Sequence, residues 1–347
     1  MAKVTAYIGT YTNGDSKGIY QLTLETKTGD LSEPFVAAEL DNPTFLTITT
    51  DNKFLYSVIK VGDEGGIGAY SIQENGQLLK LNHEVTAGSP PCHVSLDKNN
   101  EYAYSANYHL GTGSSYKVTD DGAISPALSV VEHKGNGPHE RQEKPHAHFA
   151  GLTPDEKFLC VVDLGTDKMG VYDVDSGKLS LHSEVSFKAG TGPRHIQFHP
   201  NGKFAYVNGE LSSEVIVLSY DSETNFFAEL QTITSLPADF EGESIGGAIK
   251  VSPCGQFVYA SNRGDDSIAV FGVDQDTGIL SLIQHISTGG EFPRDFTIDP
   301  TGTYLLAANQ NTSNIVPFLI DQKTGKLTKT NIEVTVPNPV CIAFLQI

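Results

Sequence analysis

In a chain of 347 residues with a formal net charge of −19, only four of the 23 basic residues are arginines: Arg141, Arg194, Arg263 and Arg294. A guanidinium presents a rigid fork of donors that suits bidentate binding of carboxylate or phosphate. Two further residues have the chemistry to move a proton. A histidine such as His148 ordinarily titrates near neutrality, and a glutamate such as Glu210 can be tuned there by its surroundings, so either is a candidate to take a proton from water. Together these residue types suit an anion-binding site that activates water.

Other chemistries find less support. His146 and His148 flank Ala147 and would point the same way on a strand. No further ligand follows at metal spacing, so no metal is expected. There is no Gly-x-Ser-x-Gly elbow and no Walker-type loop. Gly65-Gly66-Ile67-Gly68 precedes no helix and is read as a loop rather than a phosphate cradle. Cys92, Cys160, Cys254 and Cys341 are scattered without a Cys-x-x-Cys pair, and buried free thiols are expected.

What must position these residues is a repeat. Thr153-Pro154-Asp155-Glu156-Lys157-Phe158 returns as His199-Pro200-Asn201-Gly202-Lys203-Phe204. It returns again as Ser252-Pro253-Cys254-Gly255-Gln256-Phe257 and as Asp299-Pro300-Thr301-Gly302-Thr303-Tyr304. Weaker copies end on Phe54 and Tyr102. These marker aromatics lie 46 to 56 residues apart. That period fits a four-stranded propeller blade. Asp173–Gly177 and Asp274–Gly278 carry turn chemistry between third and fourth strands. Val4–Thr10 reads as a second strand with no first strand before it. Asn338–Phe344 reads as a first strand with nothing after it. Joined, they complete a seventh blade and remove an exposed edge. The fold expected is all-β: one seven-bladed β-propeller over residues 1–347, closed by pairing of the N- and C-terminal strands. The absence of Trp, and so of any Trp-Asp dipeptide, argues against a WD-repeat propeller.

Register places the charged residues. Ten positions before each marker is the start of a first strand: Thr44, Cys92, His148, Arg194, Gly247 and Arg294, with Val340 from the closing strand. Six positions after it is the end of a second strand: Lys60, Tyr108, Leu164, Glu210, Arg263 and Gln310, with Tyr11 from the N-terminal strand. Antiparallel neighbours put both sets at one mouth of the channel. Three of the four arginines fall there, and Arg141 lies in the loop leading to His148. His93 and His195, one residue further on, are expected to turn to the other sheet face. His199 belongs at the opposite end.

The acidic balance argues against nucleic acid and anionic membranes, which need basic surfaces. No apolar run approaches the roughly 20 residues of a membrane helix. The N-terminus lacks the regions of a signal peptide, and a cytoplasmic protein is expected.

The segments Tyr7-Ile8-Gly9-Thr10-Tyr11-Thr12, Arg141–His148, Gly192-Pro193-Arg194-His195, Asn208-Gly209-Glu210, Ser261-Asn262-Arg263 and Phe292–Phe296 resemble the propeller-type lactonase family. That family includes bacterial 6-phosphogluconolactonases and fungal carboxy-muconate lactonizing enzymes. The resemblance covers essentially the whole chain. It implies a catalytic group of His148, Arg194, Arg263 and Glu210, with Glu210 or His148 activating water. It implies hydrolysis of 6-phospho-D-glucono-1,5-lactone, a small anionic substrate, without metal or organic cofactor. Arg294 is assigned to substrate binding, with Arg141, His146, Tyr11, Tyr108 and Gln310 around it. Another lactone, ring closure of a muconate-type acid, and a non-catalytic binding propeller are the alternatives. A monomer or small homo-oligomer is expected.

Overall fold

Each marker aromatic opens the second strand of an antiparallel sheet. The strands are Phe54–Val61, Tyr102–Asn107, Phe158–Asp163, Phe204–Gly209, Phe257–Arg263 and Tyr304–Asn309. The structure, a computed structural model, describes residues 3–347. Met1 and Ala2, included above in the expected propeller, lie outside the described residues.

Seven such sheets follow one another. In blade 1 the innermost strand is Pro339–Phe344, followed outward by Lys3–Thr10, Gly18–Glu25 and Phe35–Glu39. The expected closure by both termini is therefore present, with Ile8 opposite Ile342. Blades 2 to 7 span 46–87, 93–132, 147–186, 193–234, 245–287 and 293–335. In the last, two short pieces, Leu327–Lys329 and Val334–Thr335, share the outer position. No helix of the described residues is long and apolar enough to cross a membrane.

The cores lie between blades, which is why period-two alternation fails in the middle strands. Phe158–Asp163 is buried throughout, on both faces. Where blade 7 meets blade 1, Tyr304, Leu306 and Ile315 pack with Val4, Ile8, Leu22 and Ile342. A polar tie repeats as well. Tyr56, Tyr206 and Tyr259 donate from their buried hydroxyls to the carbonyls of Gly122, Gly278 and Gly325 at 2.8, 3.2 and 3.0 Å. Each acceptor is the turn glycine between third and fourth strands of the next blade. At Gly278 the backbone φ is +75°, and a Cβ would strike the Phe204 ring, so only glycine serves.

Two expectations need correction. Gly65–Gly68 is not a loop but part of the Glu64–Ile72 strand. Its glycines let the Ser89-Pro90 backbone and the Glu84 carbonyl press close. Of the thiols, Cys160 and Cys341 are buried, but Cys254 is exposed on a turn.

Candidate active site

Three side chains at the mouth owe their direction to β-bulges. On the Ala147–Leu152 strand, Ala147 pairs with Asp163 and Phe149 with Val162, so His148 has no opposite residue. Arg194 is skipped in the same way between Pro193 and His195, and Arg294 between Pro293 and Asp295. The Gly247 and Val340 positions fall at the corresponding irregularities. A bulge adds an unpaired residue and re-aims its side chain. It also breaks alternation. His93 and His195, expected to turn away, instead meet edge to face, and His195 meets His148 in the same way. Their rings lie 5.6 Å apart, and His195 is 5.1 Å from His148.

Glu210 is the centre. Its Oε2 accepts from Arg194 Nε at 2.9 Å and from Arg263 Nη2 at 2.7 Å, and its Oε1 pairs with Arg141. Arg194, Glu210 and Arg263 are each no more than 3% exposed. The two buried arginines are also tied to backbone. Arg194 Nη1 donates to the Gly247 carbonyl at 2.6 Å, and Arg263 Nε to the Gly246 carbonyl at 3.2 Å. Neither glycine has room for a Cβ, because the Gly209 and Pro293 carbonyls crowd them. The Gly246-Gly247 carbonyls thus take the donors that one carboxylate leaves over.

Three guanidinium groups on one carboxylate leave a net positive charge. Burial alone would raise the Glu210 carboxyl, but Arg263, then Arg194, hold it well below the usual carboxylate range. Its lone pairs are occupied, which disfavours it as a base. His148 differs. Burial, reinforced by Arg194, holds it well below the ordinary histidine value, so the ring is neutral. Among the described residues no carboxylate bonds to it, and its buried Nδ1 has no hydrogen-bond partner.

A cavity of about 630 Å³ opens over this group. Every blade contributes to its wall: Tyr11, Lys60, Tyr108, His148, Glu210, Arg263 and Arg294 come from blades 1 to 7 in turn. Arg141 reaches it from the short 3-10 turn Glu140–Gln142, which the buried Gln142 fastens to the Leu164 carbonyl at 2.8 Å. Arg294 differs from the other arginines. Among the described residues it has no carboxylate partner, and it lies over the Tyr11 ring at 5.5 Å. Cys92 also borders the cavity, but burial pushes its thiol up to about 11.

Three expected residues stand back from the cavity. Arg194 lies behind Glu210, facing a narrow space shared with His195 and Asp295. His146 stacks on the Tyr108 ring at 4.2 Å, and its Nδ1 meets the Tyr108 carbonyl at 2.9 Å, so it supports that wall. The Gln310 backbone N–H donates to the Phe292 carbonyl at 3.1 Å, holding the turn before Arg294. Among the described residues no cluster of His, Cys, Asp or Glu is placed to hold a metal.

Sequence reasoning passed over Lys60 and Thr44, although both stood at indexed positions. It passed over the 88–91 loop and His109 too, for which period and motif carried no signal.

The sequence matches the family described as lactonase, 7-bladed β-propeller, over residues 5–344. It is 47% identical to the 6-phosphogluconolactonase of Bacillus subtilis (strain 168) over 347 residues, covering 100% of this chain and 99% of that one. Among solved structures, a protein from Lactobacillus plantarum is 43% identical with a TM-score of 0.96, covering 99% of this chain and 100% of the other. The periplasmic gluconolactonase of Pseudomonas aeruginosa is 31% identical with a TM-score of 0.94, covering 99% of each.

Proposed function

The chain belongs to the seven-bladed β-propeller lactonase family, and from that premise we propose that it hydrolyses 6-phospho-D-glucono-1,5-lactone to 6-phosphogluconate. The observation that carries this reading is the net positive cluster of Arg141, Arg194 and Arg263 on Glu210, set beside a neutral His148 at the cavity wall.

In this reading His148 is the base. It takes a proton from water as the water oxygen bonds to the lactone carbonyl carbon. The carbonyl oxygen becomes an oxyanion, and Arg141 and Arg263 stabilise it from the wall. Preorganised charge of this kind is commonly the largest catalytic contribution. The tetrahedral intermediate then collapses with cleavage of the bond to the ring oxygen. The imidazolium returns its proton to that oxygen, and the product is the open-chain acid. Glu210 acts as the counter-ion that holds the arginines at their positions. The cavity volume lies within the range of small-molecule sites.

Likeness to a gluconolactonase supports a second reading, in which the substrate is unphosphorylated. A phosphorylated sugar is retained behind a bilayer by its charge, and the first reading places the reaction in the cytoplasm. A coupled assay that follows 6-phosphogluconate formation, run beside glucono-1,5-lactone, tests both. Absence of turnover on the phosphorylated lactone refutes the first.

A further inference from the structure

Arg194, Arg263 and Arg141 spend much of their charge on Glu210. The cationic groups of the cavity wall left without a carboxylate partner, among the described residues, are Arg294 and Lys60. They stand on blades 7 and 2 and flank Tyr11 of blade 1. The Lys60 backbone is held twice. It pairs with Gly65 in its own hairpin, and its N–H donates to the Asp41 carbonyl at 3.1 Å. The stem therefore starts from a fixed point. Thr44, on the same side of the cavity, has a hydroxyl with no partner within the protein among the described residues.

We propose that Lys60 is a specificity-determining residue: with Arg294, it receives the phosphate of the substrate across Tyr11, away from the reacting carbonyl. The inference rests on the lactonase reading above and adds the group that selects the phosphorylated lactone. Charge and position both support it. Arg294 lies close enough to His148 and Cys92 to influence their protonation, so it belongs partly to the reacting end. Lys60, at the end of the blade 2 second strand, is the remaining cation. A lysine ammonium on a flexible four-carbon stem binds phosphate as a point charge and does not need the geometry of a fork.

The experiment compares kcat/KM on 6-phosphogluconolactone and on glucono-1,5-lactone for the wild type, Lys60→Gln and Lys60→Arg. Lys60→Gln is expected to lower the ratio of the two specificity constants by about tenfold or more, mainly through KM on the phosphorylated lactone. Lys60→Arg is expected to recover most of that ratio. Equal losses on both lactones, or an unchanged ratio in Lys60→Gln, would overturn the role of Lys60 and leave the lactonase reading standing. A wild type inert on the phosphorylated lactone would overturn that reading and this inference together.

Discussion

Replacing Glu210 with Gln tests the centre of the site. The substitution keeps the shape but removes the one negative charge shared by Arg194 and Arg263, both 3% exposed. A Gln side chain offers one acceptor oxygen where the carboxylate accepts from three arginines. Breaking a buried ion pair from one side typically costs about 3–5 kcal/mol, because the partner charge is left buried and uncompensated. For 347 residues the unfolding entropy is ~0.7 kcal/mol per kelvin, so Tm should fall by about 4–7 °C. Scanning calorimetry measures this directly. A second variant locates the cause. Replacing Arg194 with Met in the Glu210→Gln background removes one stranded charge and should restore part of the lost Tm. Lactonase kinetics on the same samples should show a large fall in kcat, since the guanidinium groups lose their anchor. The reasoning is refuted if Glu210→Gln melts within about 1 °C of wild type, or if the double variant melts lower than the single one.

Three further outcomes follow from the same geometry. His148→Asn should lower kcat about 10²–10⁴-fold, and in the wild type the acid limb of kcat/KM should lie well below pH 6.5; a limb at 6.5 contradicts a buried neutral imidazole. His93 is held at about 3 by burial, then by Lys250 and Arg194, and His195 is also well below its ordinary value. Depressed folded values mean that stability is fully present above the unfolded value of about 6.5 and is lost as pH falls toward 3. At pH 4.5 His93 alone should account for up to about 3 kcal/mol, read as a shift in denaturant midpoint that His93→Phe reduces. Gly247→Ala should destabilise the protein and cut activity, because its Cβ has no room against the Pro293 carbonyl and would shift the carbonyl that holds Arg194; wild-type Tm and kcat in that variant would show the strand to be pliable there.

Much of the fold could be read from residue order because it repeats. Six marker aromatics at a blade-length period open six second strands, and the unpaired end segments account for the seventh blade. Each blade is local in the chain, so its strands and turns are written in contiguous residues. The same counting places Arg263, Glu210, Tyr108 and Tyr11 around one mouth, since a second strand runs a fixed length from its marker. What the sequence could not decide is direction and pairing. His148, Arg194 and Arg294 point as they do because of bulges, and a bulge exists only relative to the register of the neighbouring strand. Likewise, Glu210 could have been a free base or a counter-ion. Three arginines from a loop and two blades, separated by up to 122 residues between Arg141 and Arg263, pair with it once the ring brings them together, which supports the counter-ion reading. Local propensity is set within a few residues, whereas the charge state of a buried group is set by everything packed around it.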